Sequence, residues 1–227
     1  MNLRIAFRVM ASLAVAPALW GESFVNLNFE SAAVAPTPRG GFGSTVDPAL
    51  AFPGWSVGFG GQWFQNYTLY NNLTLGSVAQ VLIGPAYPNA IGYMPLQGSY
   101  SALLQFGPST TFGTPALSQT GLVPADARSI TFLTSPTHDD ARVTLNGIEI
   151  PLSRIGGGRL AGDVSPFAGM EAQLTFSTRG YEGNWLLFDD VRFSPIAVPE
   201  PSGLWLLGLG CLAWPLVRGR LLPGYSN

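Results

Sequence analysis

The chain has 227 residues, 47% hydrophobic and 12% aromatic but only 11% charged, well below the quarter usual for a soluble globular chain, which excludes long disorder. Its 28 Gly and 19 Pro punctuate short Val, Ile, Leu, Phe and Thr runs, a mixture that favours many strands joined by turns over long helices. All 11 basic residues are Arg, and between Leu19 and Pro201 seven of them face all 13 acids, about −6 net, which excludes a basic face for nucleic-acid phosphate.

In chain order, residues 1–21 begin with Arg4 and Arg8, continue through an apolar stretch from Val9 to Ala18, and carry Ala16 and Ala18 around Pro17. Positive, then apolar, then small is the order read by signal peptidase, and the apolar part is short for a bilayer span. A signal peptide over 1–21 is expected, cleaved near Ala18 or Gly21.

Residues 22–196 are expected to form one all-β body, an antiparallel β-sandwich. The predicted strands are Phe24 to Phe29, Trp55 to Phe59 after a Pro53-Gly54 turn, Ser99 to Phe106, Ala116 to Thr120, Ser129 to Leu133, Arg142 to Leu145, Ile148 to Leu152, Ala172 to Ser177 and Leu186 to Phe193. Asn146-Gly147 supplies the two positive-φ residues of a type I′ hairpin between alternating flanks. The stretch Gln62 to Ala90 fits either a short helix or an extra strand pair. Gly156-Gly157-Gly158 reads as a hairpin loop, because no Lys-Ser/Thr follows to make it a phosphate loop.

Residues 197–227 change character. Val198-Pro199-Glu200-Pro201-Ser202 precedes an apolar run over 203–217, and Arg218 and Arg220 follow at once. Two prolines around one carboxylate make a stiff, solvated segment, because each ring fixes φ and removes an amide donor. Arginines after the apolar helix predict a cytoplasmic tail over 218–227 and an external body. The single cysteine, Cys211, lies in this run, so the body has neither an internal disulfide nor a thiolate metal site.

This ordered triad of motif, apolar helix and basic tail resembles the PEP-CTERM sorting signal of Gram-negative bacteria. The resemblance implies an exosortase-type protease as partner, membrane attachment through the 203–217 helix before processing, an address in the cell envelope or on its outer surface, and association with exopolysaccharide producers. Within the body, Asn26-Leu27-Asn28-Phe29-Glu30, Gly54-Trp55-Ser56, Ser99-Tyr100-Ser101-Ala102-Leu103, Leu117-Ser118-Gln119-Thr120, Gly162-Asp163-Val164-Ser165 and Phe188-Asp189-Asp190-Val191 resemble the galactose-binding-like jelly roll of carbohydrate-binding modules. An immunoglobulin-like sandwich is the alternative. The jelly-roll resemblance implies a structural calcium with Glu30 and Asp189 or Asp190 among its oxygen ligands; capping of strand ends is the other account of these acids.

Trp55, Trp63 and Tyr67, with Phe64 and Tyr70 nearby and Gln62, Gln65 and Asn66 interleaved, are candidates for stacking on a sugar, core packing being the other role for each. His138, the single histidine, has no Gly-x-Ser-x-Gly elbow to serve, and 13 acids always contain some pair at a plausible separation. The expectation is therefore a non-catalytic exported surface or matrix protein, exopolysaccharide-associated or carbohydrate-binding, and not an enzyme. A secreted carbohydrate-active hydrolase and a structural adhesin without a small ligand are the alternatives.

Overall fold

The computed structural model describes residues 22–35, 37–38, 44–59, 63–64, 67–72, 78–85, 94–107, 113–135, 141–178 and 183–198. These form β1 (Thr37–Pro38), β2 (Ser44–Val46), α1 (Pro48–Ala51), β3 (Ser56–Phe59), β4 (Trp63–Phe64), β5 (Thr68–Tyr70), β6 (Ala79–Ile83), β7 (Ser101–Gln105), β8 (Pro115–Leu122), β9 (Ser129–Thr134), β10 (Ala141–Leu145), β11 (Ile148–Glu149), β12 (Leu152–Gly156), β13 (Arg159–Asp163), β14 (Glu171–Thr178) and β15 (Trp185–Ser194). The described residues are all-β apart from the single turn of α1, capped by Asp47, whose carboxylate accepts the Ala49 N–H at 2.8 Å, and a 3-10 turn at Ser165–Phe167.

Two sheets result. One runs β1-β2-β5-β6-β7-β15-β9-β13-β12 and the other β11-β10-β14-β8-β3-β4. Their inner faces share one core, because alternate residues of each strand point inward. Val143, Leu145, Leu174, Phe176, Leu117 and Val57 from the smaller sheet meet Leu82, Leu104, Ile130, Phe132, Leu186 and Phe188 from the larger. At its centre Phe176 of β14 stacks on Phe188 of β15, with ring centroids 4.4 Å apart and planes 10° apart, and Phe132 meets Phe176 edge-on at 5.1 Å.

The larger sheet is buried on its other face too. Leu69, Val81, Ile83, Leu103, Trp185 and Leu187 form a second cluster there, with Tyr67 and Leu96 packed against it. Strands covered on both faces read as continuous apolar runs, which is why Ala79 to Ile83 shows no clean alternation in the sequence.

The strand expectations hold for eight of the nine segments, with shifted ends, except that the region 148–156 divides into β11 and β12. Asn146 and Gly147 take φ of 50° and 78°, as the predicted hairpin requires. Two expectations are corrected. Phe24 to Phe29 is not a strand: Asn26 and Phe29 sit at φ of 49° and 58°, and the segment joins the sheets through separate bonds, among them the Val191 N–H to the Leu27 carbonyl at 2.9 Å, and no ladder. The sandwich is also not wholly antiparallel, since β5 and β6 run parallel in the register Leu69 to Val81 and Tyr70 to Leu82. The Gln62 to Ala90 stretch supplies β4, β5 and β6 among its described residues.

Candidate functional site

The first segment of the body and its last strand converge on one loop. Asn26 organises the first: its side-chain amide donates to the Pro53 carbonyl at 3.0 Å, its side-chain oxygen accepts the Ser31 N–H at 3.0 Å, and its own carbonyl accepts the Trp55 indole N–H at 3.0 Å. Held this way, the turn places Phe29 in the core and sends Glu30 outward. One oxygen of Glu30 accepts the backbone N–H groups of Ser99, at 2.8 Å, and Tyr100, at 3.0 Å. Gly98 in the same loop has φ of 58°, and a Cβ there would run into the Glu30 carboxylate.

Asp189 grips the other side of this loop. It lies on β15 with 1% of its surface exposed, and one of its oxygens accepts the Gln97 N–H at 3.1 Å and the Ser101 hydroxyl at 2.6 Å. Its other oxygen accepts the Asp190 N–H at 2.6 Å. Burial pushes the Asp189 carboxyl up to about 6; these three hydrogen bonds oppose the rise, and the charge of Glu30 adds to it.

Asp190 belongs to a different arrangement. It takes φ of 48° where β15 bulges against β9 between Asp189 and Arg192, so its side chain turns to Arg159 and Arg192. It forms ion pairs with both, the Arg192 contact at 2.8 Å. Of the three acids named from sequence, the fold thus brings Glu30 and Asp189 to one loop and commits Asp190 to two cations.

For a bound calcium, Glu30 and Asp189 fit as a pair of hard oxygen donors and Asp190 does not, because its arginines already neutralise it. Among the described residues no group of three or more His, Cys, Asp and Glu is arranged to hold a metal. Most of the six to eight oxygens of such a site would have to be backbone carbonyls.

The aromatic candidates part company. Trp55 is 6% exposed, packed against Phe29 at 5.8 Å and Phe176 at 6.1 Å, so its ring has no open face for a pyranose and its place as a sugar-stacking residue is corrected to the core. Tyr67 is half-buried against the outer-face cluster. Trp63 is carried on β4 opposite Phe59, and its side chain lies outside the described part, as do His138 and residues 199–227 with Pro199, Glu200, Pro201, Arg218 and Arg220. Val198 is the one described residue of the sorting motif. Among the described residues no helix is long and apolar enough to cross a membrane.

Sequence reasoning did not single out Ser101, Arg159 or Arg192. The signal for Ser101 was its alternation with Leu103, which puts both on the outer face of β7 beside Asp189. A hollow of about 210 Å³ between Glu149, Ile150, Leu152, Arg154 and Leu160 is lined by none of the predicted site residues.

An all-β sandwich with a carboxylate-clamped loop between its first segment and last strand is the class these observations define. No family model matches the chain, and no curated protein sequence does. Among solved structures it is similar in fold to the Stig cyclase Fisc from Fischerella sp. TAU, in complex with (3Z)-3-(1-methyl-2-pyrrolidinylidene)-3H-indole, at 12% identity and a TM-score of 0.44, over 76% of this chain and 96% of that one. An apo form of a cyclase from Fischerella sp. is similar at 13% identity and a TM-score of 0.44, over 78% and 98%. Those neighbours are named as cyclases, against the expectation of a non-catalytic surface or matrix protein that is not an enzyme, and a likeness at this level assigns no activity to the present chain. At this identity the likeness is one of fold and brings no substrate or catalytic residue to the present chain.

Proposed function

We propose that the chain is an exported envelope protein of the PEP-CTERM type. Its all-β body over 22–196 leaves the cytosol behind the signal segment 1–21 and is tethered through 203–217, with Arg218 and Arg220 on the cytoplasmic side. The observation that carries this reading is where the body lets go of the chain. β15 ends at Ser194, the Ser129 hydroxyl still holds the Ile196 carbonyl at 2.7 Å, and the motif begins at Val198. A processing enzyme of the exosortase kind needs access to the motif, and the start of the motif just after the last described tether of β15 supports the reading.

On the same reading the body is a jelly roll of the galactose-binding-like kind. Its support is the meeting of first segment and last strand, where the Val191 N–H donates to the Leu27 carbonyl at 2.9 Å. A structural calcium between Glu30 and Asp189 belongs with it, supported by the two carboxylates that share the 97–101 loop.

The test is fractionation of cells that express the full chain with a tag inside the body, followed by the mass of the mature form. The expected result is envelope material lacking residues 1–21, and a longer membrane-retained form when Pro199, Glu200 and Pro201 are all replaced by Ala. Intact chain in the cytosol overturns the reading.

A further inference from the structure

Asn146-Gly147 is the single Asn-Gly pair in the chain, and it joins β10 to β11 at the edge of the six-stranded sheet. Among the described residues β11 pairs with β10 alone, through Thr144 to Glu149 and Leu145 to Ile148. Both of its residues are exposed, Ile148 at 60%, so it buries little. Beyond that short ladder it is held by the exposed Arg142 to Glu149 ion pair at 3.0 Å, which contributes little. A strand held this lightly opens by itself while the body stays folded.

Asn146 extends the β10 to β14 pairing by one step with its side chain. Its N–H donates to the Gln173 carbonyl at 2.9 Å, and its Oδ1, standing in for a backbone oxygen, accepts the Gln173 N–H at 2.8 Å. Gly147 follows at φ of 78°, exposed, with nothing within 4 Å of where a Cβ would stand. A side-chain amide thus precedes an unhindered backbone nitrogen, the two reactants of a ring closure. The closed turn keeps them apart. In a type I′ turn the first central ψ is about +30°, which sets the next nitrogen nearly opposite Cβ across the Cα–C bond and out of reach of Cγ. The bond to Gln173 holds the side chain in place as well.

We propose that Asn146 is a self-modification site, an amide that converts to a carboxylate each time β11 opens long enough for the ring to close. Water takes the Gly147 amide proton, and the Gly147 nitrogen attacks Asn146 Cγ. The N–Cγ bond forms, the Cγ–Nδ2 bond breaks and ammonia leaves. A second water then opens the five-membered imide. Breaking its N–Cγ bond gives Asp, and breaking the bond from the same nitrogen to the main-chain carbonyl carbon gives isoaspartate. The fold tells the two products apart. Asp keeps an oxygen for the Gln173 N–H, now a charge-assisted bond, and the hairpin closes again with one added negative charge. Isoaspartate lengthens the two-residue loop by one backbone carbon, so the registers Thr144 to Glu149 and Asn146 to Gln173 cannot both be kept and β11 stays open.

The test is incubation of the full-length chain in mildly alkaline buffer, native and unfolded in guanidinium chloride, with both products at 146 followed by peptide mass mapping and told apart by an Asp-directed endoprotease. Conversion is expected in both samples, about 10-fold or more slower in the native one. Ile148→Gly, an exposed change that weakens only the edge strand, should speed the native reaction about 5-fold. Trp55→Phe, which weakens the core, should leave it unchanged. Should Ile148→Gly not fold, guanidinium chloride below the unfolding transition takes its place, and the native rate should rise with it less steeply than global unfolding does. No conversion at 146 in the unfolded chain overturns the site. Equal native and unfolded rates overturn the gate, as does a native rate raised by Trp55→Phe and not by Ile148→Gly, or one that tracks global unfolding.

Discussion

Phe29 meets Phe188 edge to face, with ring centroids 5.3 Å apart, and each is followed at once by a carboxylate, Glu30 and Asp189. The aromatic pair fixes two backbones in the core, and the next residue of each emerges on the 97–101 loop. The core and the clamp are thus one construction, and changes in either should be felt in the other.

Asp189→Asn tests the buried charge. Because the folded carboxyl titrates near 6 and an unfolded one near 3.9, the folded chain holds that proton more tightly. Its stabilising contribution is fully present below about pH 4 and lost as pH rises through about 6, a change of order 3 kcal/mol. Thermal unfolding followed by circular dichroism should show a melting temperature that falls over this window in the parent chain. In the variant the slope should be flattened and stability at pH 7.5 equal or higher; an unchanged slope would exclude Asp189 as its source.

Gly98→Ala should be the more damaging of two small changes in the loop. It asks Ala to adopt φ of 58° and drives its methyl into Glu30, so a loss above about 1 kcal/mol is expected. Glu30→Ala, which frees the amides of Ser99 and Tyr100, should cost about 1–3 kcal/mol. Hydrogen exchange at those two amides should rise in both variants, while the amides of β14 stay protected.

Calcium addition is expected to stabilise the full chain through the Glu30 and Asp189 pair. At a hundredfold excess over its dissociation constant a native-state ligand adds about 2.7 kcal/mol. A chelator should reverse the rise in melting temperature, and Glu30→Gln should abolish it. A rise that survives Glu30→Gln would place the ion elsewhere.

Trp55→Ala should lower stability by about 3–5 kcal/mol, the usual cost of removing a large aromatic side chain from a core. Trp55→Phe keeps much of the ring packing but forfeits the bond to the Asn26 carbonyl, and about 1 kcal/mol more than its volume loss should follow. Denaturant titration separates the two.

What the sequence made legible was local. Asn146-Gly147 announces its hairpin because its conformation is set within the turn, and the alternation in Arg142 to Leu145 and Ala172 to Ser177 reports one inward and one outward face. Asn26 to Glu30 alternates just as well, yet it turns, because the bonds that bend it come from Pro53 and Trp55, about 27 to 29 residues away. The parallel pair β5 and β6 was hidden for the opposite reason: covered on both faces, it carries no period to read. Glu30 and Asp189 were visible as acids, but the loop they share is a tertiary fact, and so is the diversion of Asp190 to Arg159, which rests on one bulge.

The last described strand, β15, lies mid-sheet, paired along one edge with β7 and along the other with β9. A pull on the residues after Ser194 therefore acts along β15 and loads two rows of backbone hydrogen bonds in shear at once, whereas a strand at the sheet margin would unzip bond by bond.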